Sequence, residues 1–185
     1  MEKLPKGPSA LLIVNIQIGY INRKTKHLIK DIECLQYYYD KVFVKIFVNS
    51  LSSHFTNLTN RYTCTPGSKD SMLAFTPRND AIIKEKEAYS FVDEEFIKVL
   101  HENNVDTIDL CGIDTEIAIT KTALDLFENN FRPRVLAEFC ASMDGLETHN
   151  YALGVLKRAI GEEQVIDDHT SVINKNKVTT GTTAK

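Results

Sequence analysis

Short apolar runs alternate with segments of helical period along almost the whole chain, and that alternation leaves few folds open. Residues 10–16 are apolar and β-branched, a strand by length and content. Residues 25–39 put Leu28, Ile32, Leu35 and Tyr39 on one face at helical spacing. Further strands are expected at 42–48, from 81, at 107–111, at 134–137 and at 164–166. Helical segments at 92–103, 115–128 and 146–160 separate the later ones, the first carrying Phe96, Val99 and Leu100. Strands joined through helices need right-handed crossovers and a parallel sheet covered on both faces. The expected fold is therefore α/β, a three-layer α/β/α sandwich around a mostly parallel six-stranded sheet of Rossmann-like layout.

Composition narrows the partners. With 43% hydrophobic and 25% charged residues the chain is a soluble globular type, and 185 residues suffice for one full core. The sequence reads as one domain over residues 1–173 and a polar, Thr/Lys-rich tail over 174–185, expected to fray. A net charge of −3 gives no general attraction to nucleic acid or to an anionic membrane. No run approaches the roughly 18 apolar residues of a spanning helix. Leu11-Leu-Ile-Val14 is too short for a signal-peptide core, so a cytoplasmic protein is expected. Cys34, Cys64, Cys111 and Cys140 are widely spaced with no CxxC pair, which reads as reduced thiols. Residues 49–79 are rich in Ser, Thr, Asn and Pro with little periodicity, and an irregular segment of that length tends to be functional.

The stretch Asp109-Leu-Cys-Gly-Ile-Asp-Thr-Glu-Ile-Ala118 carries an apolar strand into a tight turn and then a helix. In an α/β sheet such junctions at the carboxyl ends of strands are where ligands bind. Its Gly112-Ile-Asp-Thr-Glu-Ile-Ala118 resembles the Gly-[Val/Ile]-x-Thr-x-x-Cys signature of the isochorismatase-like cysteine hydrolases, with alanine at the cysteine position. Ala10-Leu-Leu-Ile-Val-Asn-Ile-Gln17 resembles the family's first strand ending in Asp-x-Gln, with Asn15 at the acidic position. Lys86-Glu-Ala-Tyr-Ser-Phe91 resembles the segment that supplies the family's lysine. Thr65-Pro-Gly67, Thr122-Ala123 and Glu138-Phe-Cys-Ala-Ser142 with His149 extend the likeness over roughly residues 8–167.

The resemblance implies a triad at Asn15, Lys86 and Ala118, ligand contacts from Gln17, Tyr89, Phe91, Ile113, Asp114, Thr115 and Ile117, and a cis peptide at Ile113–Asp114. In such an enzyme the lysine charge and the helix start lower the thiol pKa, and the carboxylate moves the thiol proton to the leaving group. Asn15 cannot exchange a proton in that role, and the methyl of Ala118 cannot attack. The expectation is a catalytically silent small-molecule binder. Lys86 facing a neutral Asn15 would favour a carboxylate-bearing ligand, since an unpaired buried ammonium is costly.

Alternatives stay open. The same two residues would appear in an inactivated or substrate-trapping form of a hydrolase of a small amide, ureido compound or vinyl ether. Cys111 or Cys64 could serve as another nucleophile. Nicotinamidase-like relatives hold a metal with an Asp-x-His…His set, but here Asn49-Ser-Leu-Ser-Ser-His54 lacks the acid and second histidine, so no metal or cofactor is expected. The family's habit of assembling into dimers or larger particles implies a homo-oligomer.

Overall fold

The computed structural model describes residues 9–50 and 54–168. Six strands run parallel in one sheet: β1 (Ser9–Val14), β2 (Lys41–Phe47), β3 (Ile82–Lys86), β4 (Thr107–Ile113), β5 (Arg132–Ala141) and β6 (Val165–Ile166). Their order across the sheet is β3-β2-β1-β4-β5-β6. The five helices are α1 (Leu28–Leu35), α2 (His54–Thr59), α3 (Glu94–Glu102), α4 (Thr120–Glu128) and α5 (Leu146–Ile160). The expected sandwich is thus formed, with a sheet that is entirely rather than mostly parallel. Among the described residues, antiparallel pairing is confined to a single bridge between Gln17 and Leu73. The expected tail at 174–185 lies outside the described residues.

β1 is buried along nearly its whole length, and the alternation of its side chains feeds two cores. Leu12 and Val14 pack with Phe43, Phe96, Leu100, Leu126 and Leu156, beneath α3, α4 and α5. Leu11 and Ile13 pack with Leu28, Ile32, Leu35 and Val44, beneath α1. A strand covered on both faces needs apolar residues at every position, which is why the run reads as continuous rather than alternating.

Several elements differ from their sequence expectation. The helix read over 25–39 shrinks to α1, followed by a tighter turn at Gln36–Tyr38. Residues 49–79 contain α2 and a turn at Lys69–Ser71. The helix read from 115 opens with a wide π-type turn, Thr115–Ile119, before α4. β5 runs on to Ala141; solvent-facing Glu138 interrupts the apolar pattern without ending the strand.

One polar group sits deep in the sheet. Asp109 on β4 is fully buried, accepts two hydrogen bonds from its register neighbour Arg134 (2.5 and 2.7 Å) and a third from the Tyr39 hydroxyl at 2.5 Å. Burial pushes the Asp109 carboxyl up, and the guanidinium opposes that shift. Breaking a buried pair leaves its partner charge uncompensated. Arg134→Met is therefore expected to lower unfolding free energy by about 3 kcal/mol, read by urea denaturation.

The strand order reverses between β1 and β4, so a crevice opens past their carboxyl ends. Gly112 makes the close approach there possible: its φ is +133°, and a Cβ on it would lie 2.0 Å from the Val14 carbonyl oxygen. Asn15 and Asp114, the residues following β1 and β4, flank this switch point.

Candidate functional site

Asn15 leaves β1 in the left-handed region, φ +54°, which asparagine tolerates better than most residues. It is buried, and its backbone N–H donates to the Lys45 carbonyl at 3.1 Å. Its side-chain Oδ1 accepts a hydrogen bond from Lys45 Nζ at 3.0 Å. Lys45 is therefore the ammonium that meets Asn15. It is fully buried in β2, its Nζ also donates to the Tyr89 carbonyl at 3.3 Å, and it lies 5.1 Å from the centre of the Phe47 ring. Burial, reinforced by the nearby charge of Lys86, brings the Lys45 pKa down to about 7, with Cys64 opposing.

Lys86, expected to face Asn15, is held elsewhere. Its Nζ donates to an Asp93 carboxylate oxygen at 2.9 Å and to the carbonyls of Phe91 and Val92 at 3.4 and 3.3 Å. The physical reason lies in the start of α3. Asp93 caps that helix through its other oxygen, which accepts from the Phe96 N–H at 2.9 Å, and so presents a fixed carboxylate to Lys86. The premise of an unpartnered Lys86 ammonium, which favoured an anionic ligand, is thus replaced by a capped ion pair.

Ala118 sits in the wide turn before α4, 2% exposed, within the apolar cluster that includes Phe91 and Phe43. The peptide joining Ile113 to Asp114 is cis, as the resemblance implied. Thr115 hydrogen-bonds His149 Nδ1 at 2.8 Å, fastening the turn to α5, and burial lowers the His149 pKa. Ile117 is half-buried, its N–H donating to the Asp114 carbonyl at 3.3 Å, and Ile113 lies in the core under α1. Phe91 packs on Phe96 with ring centres 4.5 Å apart. Gln17 is a brace: its amide donates to the carbonyls of Phe47 and Ser71, at 2.9 and 3.0 Å, and its oxygen accepts the Phe47 N–H at 2.8 Å.

Beside the switch point lies a cavity of about 250 Å³. Of the residues singled out from sequence, Tyr89 and Asp114 are on its wall; Asn15, Lys86 and Ala118 are not. The wall also carries Tyr20, Phe47 and Phe55, Glu116 and Asp144, and Arg61 from the irregular segment. Asp114 Oδ1 accepts the Met143 N–H at 2.8 Å, and Glu116 Oε1 accepts the Ser142 hydroxyl at 2.9 Å. These two bonds tie the β5–α5 connection to the signature turn. Burial carries the Asp114 pKa up to about 6; the Met143 N–H opposes this, Glu116 and Asp144 add to it, and Arg61 opposes it.

The remaining thiols are ill-placed for catalysis. Cys111 is fully buried, its thiol directed to the Leu12 carbonyl at 3.9 Å, and burial raises its pKa well above the usual range. Cys140 is pushed up to about 12 by the same cause. Cys64 lies behind Gly19, donates to the Asp70 carbonyl at 3.4 Å, and is raised to about 11 by burial and Asp70. At the metal position of nicotinamidase-like relatives the donors do not fit an ion. Asn49 donates to the Arg61 and Thr63 carbonyls (2.7 and 3.3 Å) and accepts from Thr56, while His54 is exposed. Among the described residues no three His, Cys, Asp or Glu side chains gather to hold a metal.

A parallel sheet with a cis-peptide turn at its switch point, and a cavity beside that turn, form the α/β arrangement that the signature segments implied. Residues 9–167 match the isochorismatase domain, and the chain belongs to the isochorismatase family. Solved structures with the same fold include a cysteine hydrolase from Pseudomonas syringae pv. phaseolicola (TM-score 0.80, 19% identity, 92% of this chain and 93% of that one). An isochorismatase-like hydrolase from Alkaliphilus metalliredigens gives 0.76 at 18% identity, covering 93% and 98%. A pyrazinamidase/nicotinamidase from Streptococcus mutans gives 0.75 at 21%, covering 85% and 99%. No curated protein sequence matches the chain.

Proposed function

We propose that this protein binds a small molecule in the cavity beside the signature turn and does not hydrolyse it. The observation that carries the reading is the pair of side chains at positions 15 and 118. Asn15 Oδ1 is engaged by Lys45 and has no proton to exchange, and Ala118 offers a methyl group. Acyl transfer in this fold class needs a thiolate and a base, and neither position supplies one. Among the described residues no cysteine lines the cavity, and the buried thiols have pKa values pushed away from reactivity. Gln17, the Thr115–His149 bond and the Asp114–Met143 bond hold the cavity walls, so a ligand site can persist without the chemistry.

Intact-mass spectrometry tests this after incubation with small amides and esters. Cys34 is exposed and would acylate unspecifically, so the protein is used as Cys34→Ser. The expected outcome is an unchanged chain mass and product release at the buffer rate. A stoichiometric acyl adduct on Cys64 or Cys111, with turnover, would contradict the reading.

A further inference from the structure

The cavity has two kinds of wall, and together they favour one class of ligand. Part of the lining is a set of aromatic rings nearly at right angles to one another. Tyr20 and Phe47 have ring centres 6.4 Å apart at 83°, Phe47 and Phe55 5.1 Å at 78°, and Phe55 and Tyr89 4.8 Å at 88°. The lining also carries the carboxyl groups of Asp114, Glu116 and Asp144, against one cation among the described residues, Arg61. Lys24 Nζ is close by but is engaged by the Asp144 carbonyl. Glu116 Oε1 takes the Ser142 hydroxyl, while its buried Oε2 has no hydrogen-bond partner among the described residues.

We propose that this cavity receives a small organic ammonium ion, its charge held by Asp114, Glu116 and Asp144 and its alkyl groups by the rings of Tyr20, Phe55 and Tyr89. The proposal rests on the reading of the cavity as a ligand site and names the ligand's chemistry. Aromatic faces attract ammonium groups through the ring quadrupole, most strongly where water is excluded. Phe47 already demonstrates the contact with the Lys45 ammonium. A buried carboxylate oxygen without a donor is costly, and since Glu116 Oε2 is closed to solvent, an alkylammonium charge in the cavity would offset part of that cost through space. An anion would meet three carboxyl groups and one guanidinium, with Lys86 bound to Asp93. The volume, about 250 Å³, lies just below the range for drug-sized ligands and suits a small metabolite.

Protonation gives a second signature. Asp114 titrates near pH 6, and among the described residues Glu116, Asp144, Arg61, Tyr20 and Tyr89 are the charged or titratable groups that share the wall with it. Neutralising its carboxyl removes part of the attraction, so cation affinity is expected to fall as the pH is lowered through about 6.

The test is isothermal titration calorimetry with tetramethylammonium and phenyltrimethylammonium, set beside benzoate and nicotinamide. The ammonium probes are expected to bind at about 1 mM or tighter. Glu116→Gln and Tyr89→Leu are each expected to weaken them about tenfold at an unchanged melting temperature. Ammonium binding that both variants leave intact lies elsewhere and overturns the proposal. Binding of benzoate or nicotinamide without the ammonium probes overturns it too, yet leaves the ligand-site reading standing. If none of the four binds at about 10 mM the proposal fails, and the ligand-site reading loses its support from this cavity.

Discussion

Between pH about 7 and 10.5 the native protein is expected to gain stability over a Lys45→Met variant by about 1.4 kcal/mol per pH unit. The total is about 5 kcal/mol, an order-of-magnitude figure set by the distance between the folded and unfolded pKa values of one amine. The sign follows from proton counting. The folded pKa of Lys45 lies near 7, below its ordinary 10.5, so between the two values the unfolded chain holds a proton that the folded one has released. Stability rises with pH wherever the unfolded state binds more protons. Below about pH 7 both states are protonated, and the native fold bears the full cost of a buried ammonium whose partner Asn15 offers a dipole instead of a charge. Urea denaturation of both proteins at half-unit pH steps gives the difference directly, since groups left undisturbed cancel. Parallel stability curves would show that Lys45 keeps its ordinary pKa in the fold. Putting a carboxylate opposite it, as in Asn15→Asp, should flatten the native protein's climb by keeping the amine charged.

Lys45 also shows how far the sequence could be read. Its signal was present: in the run Val42-Phe-Val-Lys-Ile-Phe-Val48, Phe43, Lys45 and Phe47 share a parity, and a lysine inside a buried strand needs a partner. Whether Lys86 reaches Asn15 depends on Asp93, whose role as the cap of α3 sets where a carboxylate stands, and that is a matter of three-dimensional placement. The sheet, by contrast, was legible because each buried strand is a short apolar run and each helix has its own period. Leu146–Ile160 matches its expected bounds, since one uninterrupted apolar stripe faces the sheet. Tyr89 and Asp114 lie both in the family's segments and on the cavity wall. Glu116 and Asp144 lie within or beside those segments, but a single sequence reveals which residues are nearby and not which share a cavity. Phe47, Phe55 and Arg61 come from a strand end and an irregular segment with no periodicity to orient them.

If the protein is a hydrolase fold silenced at positions 15 and 118, restoring both side chains should restore turnover. The measurement is a side-by-side assay of the protein and its Asn15→Asp/Ala118→Cys variant on nicotinamide, ureido acids, isochorismate and an amide bearing a quaternary ammonium group. In the variant a carboxylate at position 15 would stand next to the Lys45 ammonium, now 3.0 Å from Asn15 Oδ1. A thiol at position 118 would lie in the turn that leads into α4, where the helix start favours the thiolate. Loss of a nucleophile costs on the order of a millionfold in triad enzymes, so even a partial recovery stands far above background. Turnover is expected from the double variant, little from either single variant and none from the protein itself. Comparable turnover by the protein as it stands would contradict that expectation.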